Sequence, residues 1–397
     1  MKNKSIKNKV FASALALTLT IGAFQLPSYV SNTAETPAPQ LKLKKVLNLP
    51  KDGVATPAET FTFKFAKHSF NKDTTKTNDL PDIQGKSAVF GATMTNDADA
   101  TTTGKQIVKL TDDVLNGVTF PKAGQYTYTV TETAGSKAGM TYSKATYLVS
   151  LLVGANDKGN FVVKSIEIKK EKDDKGVDVT NPQKTPYKPG TGDNGEGNEF
   201  VFNNHYDPKA GNKNPDGKEI KEDDKKGFVL RKEVAGEKAN FSENFKFKIT
   251  AKKPEGSHSD AKTFKYKVVT NGVAGQEETG TYGTAFDVVL KHADKVVFSD
   301  VLLGTTVTAE ETVDGGYTKD IKDGSKINGQ KVTVENLKTG LPIGDNADGN
   351  FVNFVNTQQT ATGILMNNLP FIALVLAAGV GIFFFVKNKK EDENTQA

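Results

Sequence analysis

The chain is predicted to be all-β, with two β-sandwiches in tandem, and three observations carry that expectation. Short runs of alternating apolar and polar residues recur through its middle. Clusters of glycine, asparagine and aspartate separate them. No long helical period appears between residues 41 and 356. The clearest runs are Phe61-Thr62-Phe63-Lys64-Phe65, Tyr126-Thr127-Tyr128-Thr129-Val130 and residues 147–153. Later come Phe245-Lys246-Phe247-Lys248-Ile249, residues 286–290 and Val332-Thr333-Val334. Many short strands broken by turn signals are the pattern of sandwiches.

Both ends read as addresses. Lys2, Lys4, Lys7 and Lys9 form a basic start, residues 10–26 are uncharged and mostly apolar, and a small-residue zone follows to Ala34. Residues 1–34 therefore read as a signal peptide. An N-terminal membrane anchor is the competing reading, but residues 369–386 already supply one. That second segment is uncharged and just long enough to cross a bilayer as a transmembrane helix. Lys387, Lys389 and Lys390 begin a basic tail, 387–397, which stays cytoplasmic and leaves the bulk of the chain outside.

Composition narrows the function. The 397 residues leave room for two or three domains. Fifty-two Lys and Arg face 47 Asp and Glu, and the two signs are interleaved. The net charge of +5 forms no basic face, so no nucleic acid is expected as partner. Cysteine is absent, which removes disulfides, thiolate chemistry and Cys-type zinc sites together. The histidines, His68, His205, His258 and His292, lack metal-ligand spacing, and no nucleotide loop is present. Neither metal nor cofactor is expected, and no substrate-processing enzyme.

Residues 207–226 are rich in Lys, Asp, Gly and Pro with almost no apolar side chain, and read as a linker. They divide the chain into domains at 41–206 and 227–356. The polar segments 73–86 and 169–198 read as loops or disordered stretches.

Each domain repeats one three-part pattern. Side chains alternate across a strand with period two. In Leu41-Lys42-Leu43-Lys44-Lys45-Val46-Leu47, Lys45 shares the face of Leu41, Leu43 and Leu47. In Phe228-Val229-Leu230-Arg231-Lys232-Glu233-Val234, Lys232 shares the face of Phe228, Leu230 and Val234. Mid-domain, Glu132 is in phase with Tyr128 and Val130, and Glu311 with Val307 and Ala309, whereas Glu310 is out of phase. At the domain ends, Asn204 is in phase with Phe200 and Phe202, and Asn356 with Val352 and Phe354.

Three inward polar groups per core are costly unless chemistry removes them. A desolvated Lys loses its proton and becomes a nucleophilic amine, and a desolvated Glu is pushed toward its acid form. The carboxamide carbon of Asn is an electrophile, and a neutral Glu can move protons between the two. The product is a Lys–Asn amide plus ammonia, formed in one self-modifying turnover. The plain alternative is a sandwich whose Lys snorkels outward at a strand end.

Near the C-terminus, Gln359-Thr360-Ala361-Thr362-Gly363 precedes the apolar span and the basic tail. This three-part order over 359–397 resembles a sortase sorting signal, LPXTG-like, in which cleavage falls between Thr362 and Gly363. Ala361 stands where that family has proline. Together with Leu-Lys-Leu-Lys-Lys45, Phe-Thr-Phe-Lys-Phe65, Gly124-Gln-Tyr-Thr-Tyr-Thr-Val-Thr-Glu132, Phe202-Asn-Asn204 and Phe354-Val-Asn356, it makes the chain resemble the isopeptide-bonded backbone pilins of streptococci, the T-antigen type. The resemblance implies two tandem immunoglobulin-like domains. It pairs Lys45 with Asn204 beside a catalytic Glu132, and Lys232 with Asn356 beside Glu311. It implies a sortase transpeptidase that passes the Thr362 carboxyl to a lysine of another copy. Lys188 and Lys184, in a Pro-rich stretch before the last strand of domain one, are the candidate acceptors. The implied partners are further copies in a covalent polymer, peptidoglycan, accessory pilins and host receptors. The implied location is the Gram-positive cell wall, as a surface pilus. A monomeric wall-anchored adhesin built from the same domains is the alternative.

Overall fold

The computed structural model describes residues 39–91, 99–101, 104–188, 199–210, 227–312, 316–346 and 349–358, with scattered residues between 371 and 382. The signal-like segment 1–34, most of the linker (211–226), and Thr362 and Gly363 lie outside the described residues. Residues 373–378 are helical, and among the described residues no helix is long and apolar enough to cross a membrane.

The fold is all-β. In the N-terminal half, one sheet runs Asp99–Thr101, Gly104–Leu110, Leu43–Pro50, Phe200–Tyr206, Met140–Thr141. The other runs Thr185–Pro186, Phe161–Lys172, Thr146–Ala155, Gly124–Thr133, Glu59–Phe70, Ser87–Phe90. Their inward side chains share one apolar core that includes Leu43, Phe63, Tyr128, Leu151 and Phe202. In the C-terminal half, a sheet centred on Lys295–Ser299, Phe228–Ala235 and Asn350–Thr357 is paired with one formed by Phe286–Leu290, Phe245–Lys252, Thr306–Glu311 and Leu341–Pro342. Their core holds Phe228, Leu230, Phe247, Val307 and Phe354.

Each half closes by pairing its first strand with its last, in parallel. Lys45 lies opposite Phe202 and Leu47 opposite Asn204. Lys232 lies opposite Phe354 and Val234 opposite Asn356. In both halves the Lys and the Asn are therefore offset by two positions and share the inward face. Parallel strands need long crossovers rather than hairpins. Here almost the whole of each half lies between the two strands.

Two local readings are corrected. Val332-Thr333-Val334 is not a strand. Thr333 caps a short helix, Val334–Thr339, its side chain accepting from the Asn336 N–H while the Asn336 side chain accepts from the Thr333 N–H. Reciprocal capping satisfies two orphan donors and outweighs three residues of alternation. The expected loop at 169–198 begins later, because Phe161–Lys172 continues as a strand paired with Thr146–Ala155. Segment 73–86 is irregular apart from a 3-10 turn at Thr77–Asp79.

Between the halves, Lys209–Ala210 pairs with Val301–Leu302. The Lys51 N–H donates to the Glu255 carbonyl (3.0 Å) and the Asp345 N–H to that of Gly53 (3.2 Å). Gly53 has φ +77°, and a Cβ there would lie 2.2 Å from the Ile343 carbonyl oxygen, so only glycine fits this approach.

Candidate functional site

The six in-phase polar residues gather into two buried sites, one per half. Lys45, Lys232 and Asn204 are fully buried, and Asn356, Glu132 and Glu311 nearly so. Glu310 is exposed. In each site the Lys and the Asn come from adjacent strands of one sheet, and the Glu reaches across from the facing sheet.

In the first site Lys45 Nζ donates to Glu132 Oε2 at 2.6 Å and to the Phe202 carbonyl at 3.2 Å. Asn204 Nδ2 donates to Glu132 Oε1, also at 2.6 Å. One carboxyl thus bridges amine and carboxamide. Asn204 Oδ1 accepts from the main-chain N–H of Ser143 at 2.7 Å. In the second site Lys232 Nζ donates to Glu311 Oε2 at 3.3 Å and Asn356 Nδ2 to Glu311 Oε1 at 2.6 Å. Asn356 Oδ1 is buried and has no hydrogen-bond partner among the described residues.

Aromatic rings wall both sites in matching positions. Phe63 pairs with Glu132 and Phe247 with Glu311 across neighbouring strands. Lys45 Nζ sits 4.6 Å from the Phe61 ring centre, and Lys232 Nζ 4.2 Å from that of Phe245. Phe63 packs on Phe202 and Phe247 on Phe354, with ring centres 5.0 and 5.2 Å apart. These rings exclude water from the polar trio. Burial consequently pushes the Lys45 amine down to about 8, although the Glu132 charge and hydrogen bond oppose it. Lys232 is pushed down to about 8 for the same reason, against Glu311. Burial pushes the Glu132 carboxyl up, opposed by Lys45 and Asn204. Desolvation thus drives amine and carboxyl of the first site toward their neutral forms, the state in which the amine is a nucleophile and the carboxyl an acid.

Some participants carry no sequence signal. Ser143 contributes a main-chain donor, which no side-chain pattern can announce. Its Oγ donates to Asp174 Oδ1 at 2.6 Å. The same Asp174 oxygen accepts from the Asn203 N–H (2.8 Å), and Oδ2 from Asn203 Nδ2 (3.1 Å). His205, next to Asn204, stacks on His258 with ring centres 3.7 Å apart.

The candidate acceptor lysines lie away from both sites. Lys184 is exposed, with Nζ donating to Ser150 Oγ (3.1 Å) and 3.5 Å from Glu167. Lys188 is also exposed.

Residues 41–207 match the FctA family, described as a Spy0128-like isopeptide containing domain. Residues 226–358 match a domain of unknown function, DUF7601. A pilin of Streptococcus pyogenes serotype M1 is 23% identical over 361 residues, covering 88% of this chain and 91% of that protein. Among solved structures, the major pilin from Streptococcus pyogenes is 16% identical with a TM-score of 0.33, covering 82% of this chain and 100% of that one. A pilus-presented adhesin, Spy0125 (Cpa), is 12% identical with a TM-score of 0.26, covering 81% and 100%. The N-terminal half is thus similar to the Spy0128-like isopeptide containing domains, and the chain over most of its length is similar to a streptococcal pilin.

Proposed function

We propose that this chain is the backbone subunit of a sortase-assembled, wall-anchored pilus, stapled by two internal amides, Lys45–Asn204 and Lys232–Asn356. On this reading the two halves are tandem immunoglobulin-like domains. A signal peptide at 1–34 exports the chain. The sorting signal at 359–397 hands Thr362 to a sortase, which joins it to a lysine of another copy and finally to peptidoglycan. Lys188 is favoured over Lys184 as that acceptor, because Lys184 is already engaged by Ser150 and Glu167.

The observation that carries the proposal is the duplicated site: a desolvated Lys and Asn, offset by two positions on the first and last strands, bridged by one Glu. Left unreacted, each is a buried ion pair, whose desolvation cost offsets much of its attraction. Reaction removes both charges. The Lys Nζ forms a bond to the Asn Cγ and the Cγ–Nδ2 bond breaks. The Glu passes a proton from Nζ to Nδ2, which leaves as ammonia. Tension between the ends of a domain then runs through the amide and bypasses the intervening strands.

Intact mass spectrometry of the folded, secreted chain tests this reading. Two bonds remove two ammonia molecules, about 17 Da each. A mass matching the uncrosslinked chain would refute it. For the polymer, wall extracts should give a ladder of detergent-resistant bands, and a single band would favour the monomeric adhesin.

A further inference from the structure

We infer that the main-chain N–H of Ser143 is an oxyanion donor for closure of the first amide, that Asp174 is the positioning residue that holds it there, and that the second site closes more slowly for want of an equivalent. This rests on the reading that Lys45 and Asn204 join.

A backbone N–H can only donate. At 2.7 Å from Ser143 N, the facing atom of the Asn204 carboxamide is therefore its oxygen. That fixes the other end, so the departing Nδ2 lies against Glu132 Oε1 at 2.6 Å, beside the group that must protonate it. As Lys45 Nζ attacks Cγ, the carbonyl electron pair moves onto Oδ1, where the Ser143 N–H already points. The pair returns when Cγ–Nδ2 breaks, and the proton lost from Nζ leaves with ammonia by way of Glu132. A fixed donor aimed at developing charge in a dry site commonly changes a rate by about 100- to 1000-fold.

The donor is held rather than incidental. Asp174 Oδ1 takes both the Ser143 hydroxyl and the Asn203 N–H, tying the donor loop to the strand that carries Asn204. The Asp174 carbonyl also accepts from the Lys144 N–H at 2.9 Å, and Ser143 Oγ accepts from the Ala145 N–H at 3.1 Å. In the second site the Glu and the Asn are arranged in the same way, yet Asn356 Oδ1 is buried with no donor among the described residues.

The test is a time course of ammonia loss by intact mass on full-length chain, after cell-free synthesis is arrested. Glu311→Ala chain reports the first site alone, and Glu132→Ala chain the second. The first site is expected to close at least about tenfold faster. Within the Glu311→Ala chain, Asp174→Ala should slow closure about tenfold, and the milder Ser143→Ala a few-fold. Asp174→Asn keeps the acceptor oxygen and should restore most of the rate, a rescue that a role for charge alone would not give. Asp174→Ala in the Glu132→Ala chain should leave the second site's rate unchanged. Equal rates at the two sites, or an unchanged first-site rate in both Asp174→Ala and Ser143→Ala, would overturn the inference while leaving the amides standing. No mass loss at the first site in the Glu311→Ala chain would instead remove the reading beneath it.

Discussion

The two sites share residue types, strand register and ring walls, and differ at the carboxamide oxygen and in the grip of the acid. Lys45 is 2.6 Å from its carboxylate and Lys232 is 3.3 Å from its own. A third cluster sharpens the lesson. Lys322 Nζ donates to both oxygens of Glu233 at 2.9 Å, and Asn353 Nδ2 donates to Glu233 Oε2 at 2.7 Å. The ingredients are those of the other two, but the Lys322 side chain is 54% exposed. Although burial pushes the Glu233 carboxyl up, the Lys322 and Asn353 hydrogen bonds and nearby positive charge hold it below its usual range. There the carboxylate is held in its ionised form. Exclusion of water, rather than composition, separates the two buried trios from a surface ion pair.

The strongest test of the symmetry removes one acid at a time. Glu132→Ala and Glu311→Ala should each abolish one loss of about 17 Da and leave the other. Each missing cross-link closes a loop of well over 100 residues, so each variant should lose about 5 kcal/mol, by analogy with disulfide closure. Calorimetry would reveal whether the halves lose equally, and grossly unequal losses would break the equivalence. Next comes pH. Each Lys–Glu pair must hold one proton between its members to react. When both are protonated there is no nucleophile, and when both are deprotonated there is no acid. Closure rate should be bell-shaped, with a basic limb near 8 at both sites, where the amines titrate. At the first site the acid limb should lie above the ordinary glutamate range, because burial raises Glu132. Basic limbs separated by two or more pH units would show that the two pockets desolvate their lysines differently.

A smaller effect lies where the first half meets the second. Burial, then the neighbouring His258, push His205 down to about 4. Between that value and the usual 6.5, the unfolded chain binds more protons than the folded one, so stability falls as pH drops through this window. Thermal melts of the Glu132→Ala chain from pH 7 to 4 should show it, and His258→Ala should soften it. The smallest effect is at the exposed trio. Glu233→Ala should leave the intact mass loss unchanged and cost within about 1 kcal/mol. A vanished ammonia loss there would overturn the argument from water exclusion.

Much of this was legible from parity alone. Lys45 and Lys232 stand two positions from core leucines, and a strand's period of two carries them inward whatever the tertiary detail. The same count separates buried Glu311 from exposed Glu310. Where the alternation was brief, it misled: the run at Val332 yielded to the cap formed by Thr333 and Asn336. The Ser143 donor and the stacked His205 and His258 were invisible, because one is a main-chain group and the other joins residues far apart in sequence. Such features arise from the meeting of loops, and no local period encodes them.

The parallel closure of each half has a consequence for damage. With the first amide in place, residues 46–203 become a side ring off the load-bearing route, which enters at Lys45 and leaves at Asn204. A nick at any single peptide bond in that ring then leaves one connected molecule. Only the short stretches outside the two rings can be cut to part it, and among them is the polar segment 211–226.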